Sequence, residues 1–228
     1  MAFDGYRVRK GSRGRGFLFI GNHPCLDFVN TELMDLGRRV DRLGDFDDLV
    51  AWLVASRALS PMDGHRLTGR WGGTRAAALA LGDARRLRAD VRGLAERIAG
   101  GGDVPASTLH RLNVILAGRG SRAELVRAGR GFERRLRLAA ERPGDALPLL
   151  AEMAADLLCR AELTRIRRCA NARCVLFFYD VTRNGRRRWC SPRLCGNRMK
   201  VAAHYARRRA ARTRRPADRR HIEAPIRK

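Results

Sequence analysis

The chain has 228 residues, enough for one large or two small domains, and carries 48 basic against 23 acidic side chains for a formal net charge of +25. No run approaches the roughly 18 apolar residues of a membrane span, and the polar N-terminus has no apolar signal stretch, so a cytoplasmic protein with reduced thiols and no membrane partner is expected. The charge is uneven, with 22 basic and 4 acidic residues from Arg160 to Lys228 against 26 and 19 before it, a gradient that points to a polyanion, nucleic acid above all.

Residues 1–16, rich in Gly and Arg, are expected to be a flexible N-terminus, and 17–167 a helical domain. Phe17-Leu18-Phe19-Ile20 is a short apolar run closed by Gly21-Asn22 and predicts a buried strand. Pro24 suits the first turn of a helix capped by Asn22 or His23. On that helix Leu26, Val29 and Leu33 share an inward face, and Asp27, Asn30 and Thr31 share a polar one at i, i+3 and i+4. The polar face either lines a small-molecule pocket or fixes neighbouring loops by hydrogen bonding.

Asp45 caps a helix over about 46–58, Ser60-Pro61 begins one reaching about Arg70, and Thr74 opens a longer helical region to Ala99. Within the last, Leu87, Val91, Leu94 and Ile98 keep helical spacing. Pro105 to Leu116 is a further helix, and residues 122–140 predict a hairpin with Phe132, Leu136 and Leu138 on one side. Asp145 starts a helix to about Arg167, with Pro148 tolerated in its first turn.

That helix leads into the most informative segment. Cys169 and Cys174 are separated by four residues, as are Cys190 and Cys195, with fifteen between the pairs. Two close-set thiolate pairs that fold back on each other supply a tetrahedral set for one structural zinc ion. Between them Val175 to Asp180 is β-prone, Thr182-Arg183-Asn184-Gly185 is a turn, and Arg186 to Trp189 is the expected return strand. A final helix runs from about Gly196 to Arg212, giving a zinc finger over 168–213 and a basic tail over 214–228. A knuckle, a hairpin and a helix whose first turn carries the last ligand make a treble-clef-like finger. The fold class is therefore mainly α with short β-hairpins. Cys25 and Cys159, far from the cluster, are expected to be buried thiols rather than ligands.

Cys195-Gly196-Asn197-Arg198, with Arg187-Arg188-Trp189-Cys190 before it and Met199-Lys200 after it, resembles the CGNR zinc-finger proteins. Leu26-Asp27-Phe28-Val29-Asn30-Thr31 resembles the signature of the ABATE domain that usually precedes that finger. The resemblance covers nearly the whole chain. It implies the same four Cys as zinc ligands, Asn197 and Arg198 as the signature pair, and a fitting acid and hydroxyl in Asp180 and Thr182. It also implies a bacterial stress-related transcription regulator whose finger binds DNA.

The expected contact surface comprises Arg183, Arg186, Arg187, Arg188, Arg193, Arg198, Lys200, His204, Arg207 and Arg208. Lys200, His204, Arg207 and Arg208 fall on one helix face, which suits phosphate contact. Arg198 either pairs with Asp180 or points at phosphate. Double-stranded DNA is the expected partner, with a small-molecule effector or homodimerisation assigned to the helical domain. The alternative is a zinc-stabilised RNA-binding or protein-docking module, with Phe177, Phe178, Tyr179 and Trp189 as candidates for base stacking. A closed site of four cysteines leaves no position for water, and no catalytic motif is present, so no enzyme is expected.

Overall fold

The computed structural model describes residues 7–10, 16–118, 121–129, 131–138 and 141–213. Among these, strands pair two by two in antiparallel fashion and never widen into a larger sheet. The protein is mainly helical, with short hairpins and a small cysteine-rich module after the helices. The basic tail assigned to 214–228 lies outside the described residues.

The first pair is β1 (Arg7–Lys10) with β2 (Gly16–Phe19). Arg7–Lys10 thus departs from the expectation of a flexible segment. Gly21 and Asn22 then turn the chain into α1 (Pro24–Val29), capped by His23, whose Nδ1 accepts from Cys25 N at 3.2 Å. Gly21 is needed for close approach: a Cβ there would lie 2.9 Å from both Asp27 Oδ1 and Leu26 Cβ. Asn22 takes a positive φ of 57°, which Asn tolerates better than most residues.

The helix ends sooner than its spacing predicts. Thr31 N bonds back to Phe28 O at 3.1 Å, and β3 (Glu32–Asp35) then pairs with β4 (Arg38–Asp41) through a two-residue turn at Leu36-Gly37. Both turn residues have positive φ, 46° and 82°, the geometry that matches strand twist in a tight hairpin. Leu33 is buried as expected, but on a strand.

The next helices start at their predicted caps. Asp45 accepts from Asp48 N at the start of α2 (Phe46–Ala55), Ser60 from Asp63 N at α3 (Pro61–Trp71), and Thr74 from Ala77 N at α4 (Arg75–Ala99). Then come α5 (Ala106–Leu116), the hairpin β5 (Ser121–Ala128) and β6 (Gly131–Leu138), and α6 (Ala146–Arg160). Phe132 is exposed on that hairpin, with the Arg127 guanidinium over its ring at 5.5 Å. One apolar core joins α1, α2, α4 and α6 through Leu26, Val29, Trp52, Leu53, Leu87, Val91, Leu150 and Leu157. Ile166 and Phe177, from the cysteine-rich module, belong to the same core.

Two arginines on α4 are buried beside this apolar stripe. Arg88 makes a bidentate pair with Asp41, at 2.7 and 2.6 Å, and donates to Thr31 Oγ1 at 2.8 Å. Arg92 donates to three backbone carbonyls: Val29 at 2.7 Å, Glu32 at 3.1 Å and Val175 at 2.8 Å. Arg92 Nε makes no hydrogen bond of its own but lies 3.5 Å from Glu32 Oε2. Held by these acceptors, the two buried cations fasten α1, β3 and the later module to α4.

The helix into the cysteine segment also ends early, at Arg160 instead of about Arg167. Ile166–Arg168 becomes β7 and pairs with β8 (Phe177–Tyr179), Ile166 opposite Tyr179. The expected return strand over 186–189 does not form; that segment is irregular. The turn before it is present, with Gly185 N bonded to Thr182 O at 3.2 Å. The last helix, α7 (Asn197–Thr213), follows a helical turn over Pro192–Gly196.

Candidate metal centre and nucleic-acid interface

The paired strands β7 and β8 bring the two cysteine pairs together. Cys169 follows β7 directly, and its N–H donates to Leu176 O at 3.0 Å, closing the loop that contains Cys174. Asn171 Oδ1 accepts from Arg173 N at 3.1 Å and holds that loop's turn. On the other side Ala170 N bonds to Arg188 O at 2.9 Å, which places Cys190 against Cys169. Ser191 caps the following turn, and Cys195 lies within it.

All four sulfurs are buried and lie within 4.8 Å of one another. Cys174 Sγ and Cys190 Sγ are 3.9 Å apart. A disulfide needs about 2.05 Å, whereas sulfurs bound at about 2.3 Å around one tetrahedral zinc lie about 3.8 Å apart. The donor set therefore fits zinc and not two disulfides. Backbone and side-chain donors point at the sulfurs: Cys190 N to Cys169 Sγ at 3.4 Å, and Asn171 Nδ2 to Cys195 Sγ at 3.3 Å. Hydrogen bonds from the Cys174 and Cys190 thiols pull the Cys169 thiol well below its ordinary value, while donating to Cys169 pushes the Cys174 thiol up. A divalent ion relieves this sharing of protons by replacing them. Cys169, Cys174, Cys190 and Cys195 hold one structural zinc.

The zinc module is built on a second apolar cluster, which it shares with the N-terminal domain. Its cysteines pack with Leu176 and Phe178 and with Ile20 and Leu33 of the N-terminal domain. Asn30 closes the joint. Its Nδ2 donates to Phe177 O at 2.8 Å and its Oδ1 accepts from Phe177 N at 2.9 Å, so one side chain replaces a strand neighbour of β8. Tyr179 N donates to Gly21 O at 2.7 Å, and Asn22 Nδ2 to Tyr179 O at 3.0 Å.

Asp27 and Thr31 are buried beside Asn30, each with its own backbone partners. Asp27 Oδ1 accepts from Ile20 N at 2.9 Å and Gly21 N at 2.7 Å. Burial pushes its carboxyl up to about 7, against the opposing pull of these two N–H groups and of Arg187. Thr31 Oγ1 donates to Phe28 O at 2.7 Å and accepts from Arg88. The polar face of α1 is thus directed at loops, β8 and α4. Of the remaining thiols Cys25 is buried and Cys159 is exposed, contrary to the expectation for Cys159.

The basic residues divide into two groups. Arg183, Arg186, Arg188, Arg193, Arg198, Lys200, His204, Arg207 and Arg208 are exposed, and every described position from Val201 to Arg209 on α7 is exposed. Arg187 is turned inward: its Nε donates to Trp189 O at 2.9 Å and its guanidinium stacks 4.1 Å from the Phe178 ring centre. Asp180, fully buried, is engaged by Thr182 Oγ1 at 2.6 Å, Thr182 N at 2.9 Å and Arg187 N at 2.8 Å, while Arg198 is exposed. Burial raises the Asp180 carboxyl, but these hydrogen bonds outweigh it and hold the group below the usual range. Phe177 and Phe178 are fully buried, so neither offers a face to an unpaired base.

Sequence reasoning missed Arg92 and Asn171. Arg92 and Arg88 follow the apolar α4 residues Val91 and Leu87 by one position, and that placement on the inward stripe was the available signal. Asn171 sits between two ligands, where an Asn that bonds its own backbone tightens the turn.

No curated protein matches the chain. The ABATE family profile, described as "Putative stress-induced transcription regulator", matches residues 22–161. The CGNR zinc finger profile matches residues 165–208, which include all four cysteines. With the N-terminal match spanning more than half of the chain and the cysteine cluster formed as the second match requires, the protein belongs to the ABATE family and carries a CGNR zinc finger.

Proposed function

We propose that the protein is a cytoplasmic transcription regulator that binds double-stranded DNA through its finger, while the N-terminal domain governs when that surface is presented. The observation that carries this reading is charge segregation. From 181 to 213 the sequence contains no acidic residue, and the exposed side chains there include Arg183, Arg186, Arg188, Arg198, Lys200, Arg207 and Arg208. A cationic helix and a cationic turn in one module can follow a phosphate backbone and enter a groove. The burial of Phe177 and Phe178 removes two of the four rings that could stack on single-stranded RNA, while Tyr179 and Trp189 are half-buried. The closed thiolate site would supply folding energy and offers no open position for a substrate at the metal, which supports contact as the function.

The N-terminal domain would act through the joint at Asn30, where a change in α1 reaches β8 directly. A small-molecule effector, or a second copy of the chain, would act by loosening or tightening that joint.

The test is fluorescence anisotropy with duplex DNA and single-stranded RNA over a salt series. Six phosphate contacts give a slope near −5 for log affinity against log salt, with duplex preferred. Sedimentation of the complex measures whether one or two chains bind each duplex. A shallow slope, or equal affinity for duplex and single strand, would defeat the proposal.

A further inference from the structure

The zinc centre carries charge that its ligands do not cancel. Four thiolates around one divalent ion leave a net double negative charge, and all four cysteines are buried. An uncompensated buried charge is costly. The N–H groups of Cys190 and Asn171 that reach the sulfurs reduce the cost but bring no formal charge.

One cation is built into the wall of the site. Arg187 lies on the irregular segment entering Cys190, and its Nη2 donates to the carbonyl oxygen of Cys190 itself. The same nitrogen donates to Ile20 O at 3.1 Å, and Nε donates to Trp189 O at 2.9 Å. The Phe178 ring, 4.1 Å away, covers one face of the guanidinium. Three carbonyls and a ring orient a guanidinium but do not neutralise it. Burial works against the charge of this guanidinium and lowers its hold on its proton, while the sulfurs of Cys190 and Cys169 and the acids Asp180 and Asp27 act in the opposite sense. Asp180 also accepts from the Arg187 backbone N–H at 2.8 Å. Its neighbour Arg188 is exposed, with its guanidinium 5.2 Å from the Trp189 ring centre.

We propose that Arg187 is the counter-cation of the zinc tetrathiolate, a positioning residue for the metal centre and not a nucleic-acid contact. The guanidinium is partly screened from solvent, so its attraction for the thiolates is less weakened by water and salt than that of the exposed arginines. Its permanent charge and planar fork suit the task better than a lysine, which would give up the paired carbonyl bonds.

Zinc competition between the full-length protein and a chromophoric chelator at pH 7 tests this on four proteins: wild type, R187Q, R187K and R188Q. R187Q is expected to bind zinc about 10- to 100-fold more weakly, in the range seen when a partner of a metal ligand is removed. R187K is expected to recover most of that loss, because it restores charge without the fork. R188Q is expected to stay within about threefold of wild type. A R187Q protein within about threefold of wild type overturns the assignment. So do equal losses in R187Q and R187K, which would mark the residue as a carbonyl cap only, or an R188Q loss as large as that of R187Q. If R187Q does not fold, R187K decides alone: zinc binding within about tenfold of wild type supports the counter-cation, and a larger loss removes it.

Discussion

Replacing Asn30 with Ala should loosen the zinc finger from the N-terminal domain. Asn30 is 1 % exposed and Phe177 is fully buried, so no solvent stands ready to take over the two hydrogen bonds between them. The substitution leaves the Phe177 N–H and C=O without partners, at about 1–3 kcal/mol each, so the folded state should lose about 3 kcal/mol. Since Phe177 and Ile166 share the helical domain's core, the loss should appear as a lower denaturant midpoint for the whole protein, not for a separate finger. The same change makes opening of the zinc module more frequent. At 1.4 kcal/mol per tenfold, zinc loss to an excess of chelator should speed up by about 100-fold. Urea unfolding followed by far-ultraviolet circular dichroism gives the first number, and stopped-flow chelation gives the second. A stability loss under about 1 kcal/mol, or zinc release at the wild-type rate, would refute the view that Asn30 ties the two parts together.

Asp27→Asn tests the buried carboxyl on the same helix. With the folded value raised to about 7, its neutral form stabilises the fold below the unfolded value near 4, and this contribution is lost as pH rises to about 7. Asn keeps an acceptor for Ile20 N and Gly21 N but never ionises. In urea titrations D27N should therefore exceed wild type at pH 8, by up to about 4 kcal/mol, with little difference at pH 4; a less stable D27N at pH 8 would count against a strained carboxylate. At the β3–β4 turn Leu36 is 100 % exposed with φ of 46°. Leu36→Asn should raise stability by about 1 kcal/mol, because Asn accepts this conformation and no packing is lost. An unchanged or lower urea midpoint would show that the leucine is not strained.

The elements legible in the sequence were those set by neighbours in the chain. Asp45, Ser60 and Thr74 each stand before a helix and cap it through a side chain three residues from its partner. The cysteine spacing exposed the metal centre for the same reason, because each pair is held by one short turn. What could not be read was decided by distant contacts. Glu32-Leu33-Met34-Asp35 continues a plausible helix, yet the chain leaves α1 because Leu33 packs against the cysteine module and Arg92 caps the carbonyls of Val29 and Glu32. β8 pairs with Ile166–Arg168 instead of the segment after Asn184-Gly185, since Arg187 and Asp180 hold that segment by side-chain bonds. Arg187 stands in a run of three arginines, and nothing local distinguishes the one that turns inward.

The Asn30–Phe177 contact joins residues 147 positions apart. During synthesis, therefore, the surface around Ile20, Asn30 and Leu33 emerges early and stays uncovered until nearly all of the chain is available. The cover that closes it carries the four clustered cysteines, so its closure would draw on zinc. A chain made under zinc scarcity would keep an apolar seam open beside its N-terminal helix, and that seam is what chaperones and proteases bind. The cellular amount of the protein would then follow zinc availability, before any question of DNA arises.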